Sequence, residues 1–230
     1  MSVLERAIGA ALDLVFPPQC ALCRRTGAIL CDGCAGALPR ADGRRCARCW
    51  GTVRDGALCR YCADAPPRYA SLRSTCVMDA GARQLVHELK YGGMAALAAP
   101  MAGLMVAALD VDGVDLVVPV PLHESRERSR GFNQADALAR RIAQRLALQY
   151  ERRGARRTRA TAPQVKTMSR EARLENVAGA FSARPGAVEG QRVLLIDDVA
   201  TTGATLDACA SALLAAGATS VRCATFARAH

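Results

Sequence analysis

The 230-residue chain has no apolar stretch long enough to span a bilayer, which excludes insertion as a membrane helix. It also shows no basic leader ahead of a clean apolar run: Met1 to Phe16 carries Glu5, Arg6 and Asp13 within its apolar pattern and does not read as a secretory signal. A cytoplasmic location is therefore expected. Histidine is scarce, with three in the chain, and His87 has no evident activating neighbour in sequence; it reads as a surface or core residue rather than a catalyst. Tryptophan occurs once, at Trp50. The hydroxyl-rich turn near the carboxyl end has no lysine, which excludes the Gly-Lys-Ser/Thr ending of a Walker phosphate loop.

What is present centres on Val193 to Leu206, VLLIDDVATTGATL. Val193, Leu194, Leu195 and Ile196 form a short apolar run bounded by charge and turn residues, the pattern of a strand buried on both faces of a parallel sheet. Asp197 and Asp198 stand at its end, followed by Thr201, Thr202, Gly203, Ala204 and Thr205 and then by a helix bearing Leu206, Ala210, Leu213 and Leu214. Ligands of open α/β sheets bind beyond the carboxyl ends of strands. A glycine permits close backbone approach, and amides, hydroxyls and a helix amino end together favour phosphate. Ionised carboxylates accept hydrogen bonds from vicinal sugar hydroxyls. A phosphate cradle beside a diol acceptor suits a ribose 5-phosphate. A response-regulator receiver also places acids after an apolar strand, but early in its domain, whereas here about one helix and one strand remain.

Eleven cysteines would suit disulfides in a small secreted protein, but eight of them pair at one spacing: Cys20 with Cys23, Cys31 with Cys34, Cys46 with Cys49, and Cys59 with Cys62. Each C-x-x-C turn directs two thiolates at one centre, so four knuckles make two all-cysteine structural zinc sites; iron–sulfur ligation is the alternative. Chain order groups Cys20, Cys23, Cys31 and Cys34, then Cys46, Cys49, Cys59 and Cys62, although an interleaved pairing satisfies the same spacing. Both sites are closed, so the metal should stabilise rather than catalyse. Cys76, Cys209 and Cys223 lie in apolar surroundings and read as core. The formal charge of +10 favours anionic partners, and falls to roughly +6 if eight thiolates hold two zinc ions. Arg24, Arg25, Arg44, Arg45, Arg48, Arg54 and Arg60 surround the knuckles; with Trp50 they make either a nucleic-acid surface or a solubilising one.

In chain order, Leu4, Ile8, Ala11, Leu12 and Val15 predict a short packing helix ahead of Pro17 and Pro18. A second helix runs through ARQLVHELKYGG from Ala82, buries Leu85, Val86 and Leu89, and stops at Gly92 and Gly93. Lys90 at its end can cap carbonyls or reach an anion. Met94 to Leu109 predicts another helix. Leu116 to Val120 reads as a buried strand whose exit Pro119 and Pro121 stiffen. Arg126, Arg128 and Arg130 then alternate; in an extended loop they would converge on one polyanion such as pyrophosphate, the alternative being a solvated basic loop. A helix with Leu138, Ile142 and Leu146 follows. From Glu151 to Arg173 the chain is densely charged and poor in core residues, which predicts a mobile basic flap at about 151–177.

The acid pair followed by Thr-Thr-Gly-x-Thr resembles the motif by which type I phosphoribosyltransferases bind phosphoribosyl pyrophosphate (PRPP). With four C-x-x-C pairs, LKYGG at 89–93, VPVPLHESRERSRGFNQA at 118–135, RTRATAPQ at 157–164 and REARLENVAGAF at 170–181, nearly the whole chain resembles the ComF family. Lys166 and Thr167 depart mildly from its pattern. The resemblance implies an amino-terminal helix and double zinc ribbon over 1–66 and, over 67–230, an α/β type I phosphoribosyltransferase-like domain with a parallel sheet flanked by helices. By the same resemblance Ala200, Thr201, Thr202, Gly203, Ala204 and Thr205 would hold the 5-phosphate, and Asp197 and Asp198 the ribose hydroxyls and the catalytic centre. Arg126, Arg128, Arg130 and Lys90 would face pyrophosphate, and Arg157, Arg159 and Gln164 would belong to the flap. Mg²⁺ would enter with PRPP, the acceptor is undefined, and the family's association with DNA uptake in competence makes single-stranded DNA or competence proteins candidate partners.

Overall fold

The computed structural model describes residues 17–160 and 170–229. The helix expected over Leu4 to Val15 and the flap residue Gln164 lie outside them. In chain order the elements are α1 (Asp32–Gly36), α2 (Arg60–Asp64), β1 (Ser71–Val77), α3 (Ala80–Tyr91), a 3₁₀ turn (Ala95–Leu97), α4 (Ala98–Val106), β2 (Leu116–Pro119), α5 (Glu124–Arg130), α6 (Gln134–Leu146), β3 (Gln149–Tyr150), β4 (Ala155–Arg157), α7 (Arg170–Val177), β5 (Phe181–Ala183), β6 (Arg192–Ala200), α8 (Ala204–Ala215) and β7 (Ser220–Arg228).

Five strands form one parallel sheet in the order β1-β7-β6-β2-β3, with β4 and β5 as a separate antiparallel pair. Successive residues of the central strands feed two cores. Val117, Leu194, Ile196, Ala224 and Phe226 pack with α3, α4 and α6, while Leu116, Val118, Val193, Leu195, Val221 and Cys223 pack with α8 and β5. Burial on both faces explains why these strands read as apolar runs rather than alternations. Cys76, Cys209 and Cys223 are all buried in these cores. From β2 the chain proceeds outward to β3, and from β6 it proceeds the other way to β7, so the direction of winding reverses between β2 and β6. Such a reversal opens a crevice at the carboxyl ends of the two strands.

Several local expectations are corrected. The segment Met94 to Leu109 is a 3₁₀ turn followed by the shorter α4, with Pro100 in the first helical turn, where its missing N–H costs no intrahelical bond. The strand at 193–196 continues to Ala200, so the acid pair sits within it. The described residues of the expected flap include regular structure: Ala155, Arg156 and Arg157 pair with Ala183, Ser182 and Phe181, and α7 covers 170–177.

The ribbon lies against this sheet. Cys20, Ala21, Leu30 and Leu38 join the core built on α3, and the Gln84 amide donates to the Ala21 carbonyl at 2.6 Å. The second ribbon half has a small core of Cys46, Cys49, Val53 and Cys62, with Cys59 packed against it, and its first knuckle docks on β1, where the Leu72 N–H donates to Arg48 O at 2.7 Å. Its arginines are largely turned to internal use. Arg44 donates to Arg54 O, Arg45 to Asp42 O and Thr52 Oγ1, and Arg48 to Pro67 O, while Arg73 stacks 4.2 Å over Trp50.

Candidate functional site

At the switch point, β6 carries Asp197 and Asp198 on opposite faces, as successive strand residues must lie. Asp198 is buried, at 3% exposure, and forms an ion pair with Lys90 from the last turn of α3; Gln134 at the start of α6 donates to its Oδ1 at 3.2 Å. Lys90 is therefore not a carbonyl cap. Gln134 is itself fixed by Arg130, which donates to its Oε1 and, through Nη2, to the Tyr91 hydroxyl at 3.2 Å, with the guanidinium 4.8 Å above the Tyr91 ring. Asn133 caps α6, accepting from Ala135 N–H and donating to Val120 O, which fastens this helix start to the end of β2.

Electrostatics separate the two acids. Burial, the largest influence, works against charge on Asp198, but the Lys90 ammonium and hydrogen bonds with Asp197, Lys90 and Gln134 together hold the carboxyl below its ordinary range. Burial, and then the neighbouring Asp198 charge, push Asp197 well above that range. Burial also opposes the Lys90 charge, yet Asp198 holds it above the ordinary lysine value. The arrangement keeps Asp198 ionised and leaves Asp197 as the acid whose charge depends on what occupies the crevice.

After Ala200 the chain turns through Thr201 and Thr202 to Gly203, at φ +83°, and enters α8. A Cβ at Gly203 would lie 2.9 Å from the Tyr69 hydroxyl, so both the left-handed backbone and the close approach require glycine. Thr202 Oγ1 accepts from Ala204 N–H at 3.3 Å. A cavity of about 200 Å³ is lined by Lys90, Asp197 and this turn, from Ala200 through Thr201, Gly203 and Ala204 to Thr205. It adjoins one of about 580 Å³ that shares Lys90, Asp197 and Thr205 and adds Asp198, Gln134, Tyr91, Arg126, Arg130 and Arg157. Hydroxyls and a helix amino end at one pole, two carboxylates in the middle and guanidinium groups at the other are suited to a phosphorylated sugar bearing a second anionic group.

The arginine reading needs correction. Residues 124–130 are helical rather than extended, with His123 Nδ1 accepting from Ser125 N–H, Glu124 and Glu127 in the first turn, Arg128 and Arg130 in the last, and Gly131 at φ +85° ending the helix. On a helix, positions four apart share a face and positions two apart do not. Arg126 and Arg130 consequently line the cavity with Ser125 and Ser129, while Arg128 does not. Arg157, buried at 8% exposure and 5.2 Å over Phe181, also faces it, whereas Arg159 donates to Asn176 O and Ala178 O. Gln134, Tyr91 and Tyr69 are additions that sequence reading did not assign, although Gln134 is a polar residue on the buried face of an amphipathic helix start.

The eight ribbon cysteines form two groups in chain order, Cys20, Cys23, Cys31 and Cys34, and Cys46, Cys49, Cys59 and Cys62, each with its ligand atoms within 4.8 Å of one another. Sulfurs of Cys23 and Cys31 are 3.7 Å apart, and those of Cys49 and Cys59 3.6 Å. Tetrahedral zinc with Zn–S bonds of about 2.3 Å requires S···S separations of roughly 3.8 Å. The donor sets therefore fit two structural zinc ions, and the interleaved pairing is excluded.

A parallel sheet with this switch-point loop, preceded by paired thiolate knuckles, defines a phosphoribosyltransferase-type fold with an amino-terminal double zinc ribbon. Residues 128–230 match the phosphoribosyl transferase domain and residues 11–66 the double zinc ribbon domain. The DNA utilization protein YhgH of Escherichia coli K12 is 32% identical over 221 residues, covering 91% of this chain and 96% of that one. Competence protein F of Haemophilus influenzae is 26% identical over 77% of this chain and 87% of its own length. Competence protein ComFC of Bacillus subtilis is 35% identical over 44% and 39%. The chain belongs to the ComF family. Among solved structures, the glutamine PRPP amidotransferase of Bacillus subtilis complexed with ADP and GMP aligns with a TM-score of 0.41 at 24% identity, over 60% of this chain and 30% of that one. Among the described residues, no helix is long and apolar enough to cross a membrane.

Proposed function

We propose that the protein binds PRPP in the paired cavities and transfers its phosphoribosyl group to an acceptor with release of pyrophosphate. The observation that carries this reading is the convergence, in one crevice, of the Thr201–Thr205 turn, the Lys90–Asp198–Asp197 cluster and the guanidinium groups of Arg126 and Arg130. In this assignment the turn holds the 5-phosphate, Asp197 and Asp198 accept from the ribose hydroxyls, and Arg126 and Arg130 receive the pyrophosphate. Lys90 serves that end indirectly, by keeping Asp198 charged. Two carboxylates beside Lys90 also suit a divalent cation, and Asp197, half-buried and facing both cavities, is the residue that would hold it. Mg²⁺ bound with PRPP would supply charge neutralisation to the phosphates. The chain's own contribution is to fix the ribose and to place guanidinium groups where leaving-group charge develops. We assign residues 1–66 to the ribbon and 67–230 to this domain, with closure over the site by the segment around 151–177, in a cytoplasmic protein.

The relatives are named for DNA utilization and competence, and a second reading joins that to the site: PRPP occupancy controls single-stranded DNA handling without turnover. Calorimetric titration of the zinc-loaded protein with Mg²⁺ and PRPP, beside a D197A,D198A variant, tests the shared premise. Binding lost in the variant supports the site, and no binding by folded wild type refutes it. Pyrophosphate release with candidate acceptors then separates enzyme from sensor.

A further inference from the structure

The second thiolate cluster lies directly behind the phosphate turn. Its knuckle, Cys46 to Cys49, is fastened to β1 by Leu72 N–H donating to Arg48 O at 2.7 Å and by Arg73 Nη1 donating to Ala47 O at 3.1 Å. Two residues ahead of β1, Tyr69 is 1% exposed and its hydroxyl sits under Gly203. On the other side, Arg228 ends β7 in register with Ala200, the residue from which the turn departs, and the next amide, Ala229 N–H, donates to Ala200 O at 2.9 Å. The Arg228 side chain runs back to the cluster: a Cβ on Gly51 would be 3.4 Å from Cys49 Sγ and 3.6 Å from Arg228 Nη2. Its charge also acts on Tyr69. The first cluster packs instead on α3, through Ala21, Leu30 and Leu38.

Four thiolates on zinc carry a net charge of about −2. A buried guanidinium from the last strand of the sheet is the natural counter-charge. We propose that the second zinc site is a structural part of the phosphate-binding turn: zinc on Cys46, Cys49, Cys59 and Cys62 fixes Arg228 and Tyr69, and these two positioning residues hold Ala200 and Gly203 in the geometry that receives an anion. Zinc at this site and PRPP in the crevice are consequently coupled, each raising affinity for the other by the same factor. The ligand half of this proposal rests on the PRPP reading; the structural half does not.

Zinc release from the full-length protein to a chromogenic chelator, with and without Mg²⁺-PRPP, measures the coupling, with C23S and C59S assigning the two release phases. PRPP should slow release from the second site about tenfold and change the first by less than about twofold. A ligand-independent readout is amide hydrogen exchange over 200–206, which should accelerate in C59S and R228M, remain at the wild-type rate in C23S, and return toward it in R228K. R228M retains all eight thiols, so it decides the matter if C59S does not fold. If folded wild type binds no PRPP, the phosphoribosyl reading fails while the exchange measurement still judges the coupling. Wild-type exchange over 200–206 in R228M with a native circular dichroism spectrum overturns the proposal, as does an equal response of both zinc sites to PRPP.

Discussion

Substituting Lys90 by methionine keeps the aliphatic stem at the end of α3 and removes the charge facing Asp198. The Asp198 side chain is 4% exposed, so its carboxylate would remain in the interior with the Gln134 amide but without a counter-ion. Removing one partner of a buried ion pair costs about 3–5 kcal/mol. Because 22% of the Lys90 side chain is in solvent, the lower figure, about 3 kcal/mol, is expected. With a urea slope of about 3 kcal/mol/M, the midpoint should fall by about 1 M. A K90M,D198N double variant removes both charges and should recover most of the loss, giving a coupling energy of about 2 kcal/mol in the cycle. The pH dependence has a definite sign. In wild type the depressed Asp198 pKa contributes stability above the unfolded value of about 3.9, lost only as pH falls through the folded value. In K90M the buried carboxyl rises instead, so the deficit should be larger at about pH 8 than at about pH 5. Urea denaturation of the zinc-loaded proteins at both values is the assay. Additive single variants, a loss below about 1 kcal/mol, or an equal loss at both pH values would refute the reasoning.

Asp197 should behave oppositely: its folded pKa lies above the unfolded one, so its stabilising contribution is present at low pH and is lost as pH rises through the folded value. D197N should therefore exceed wild type in urea midpoint at about pH 8 while losing PRPP affinity by calorimetry. Leu194, 1% exposed between the central strands and α6, should cost about 2–5 kcal/mol when changed to alanine, measured by the same denaturation. Chelation of zinc under reducing conditions should collapse the ribbon, whose second half has four buried core residues, three of them ligands; metal analysis should count two ions per chain, and structural zinc is worth about 10–16 kcal/mol. Pyrophosphate affinity should fall in R126M and R130M by the about 1.5–3 kcal/mol of a charge-assisted hydrogen bond, whereas R128M should stay within about twofold by competition calorimetry.

The legible parts of this molecule are those whose chemistry is local in sequence. An apolar run buried on both faces announces a central parallel strand, so 193–196 and 116–119 could be placed directly. Paired thiols separated by two residues announce a metal turn, and the turn after Ala200 carries its hydroxyls, its glycine and the start of α8 within six residues. The strand's true end was hidden because Asp198 becomes tolerable inside a sheet only when Lys90, from α3, meets it. Gln134 and Tyr69 are similar: their neighbours at the site come from β6 and from the turn before α8, and no spacing rule joins them.

The arginines show how a period can mislead. ESRERSR has no apolar residue to report which face is buried, so alternation of charge was the visible pattern, and it suggested an extended chain. The helical information lay instead at the ends: a cap at His123, acids in the first turn, bases in the last and glycine at the stop. Reading those ends changes the chemistry, because a period of 3.6 selects Arg126 and Arg130 and discards Arg128. It also changes how the formal charge of +10 is understood. Arg44, Arg45, Arg48 and Arg73 bind backbone carbonyls in or beside the ribbon, and Arg152, Arg156 and Arg184 face Glu127, Glu124 and Glu151. Much of the positive charge is thus used to hold the chain to itself, while Arg126, Arg130 and Arg157 converge on the cavity at the switch point.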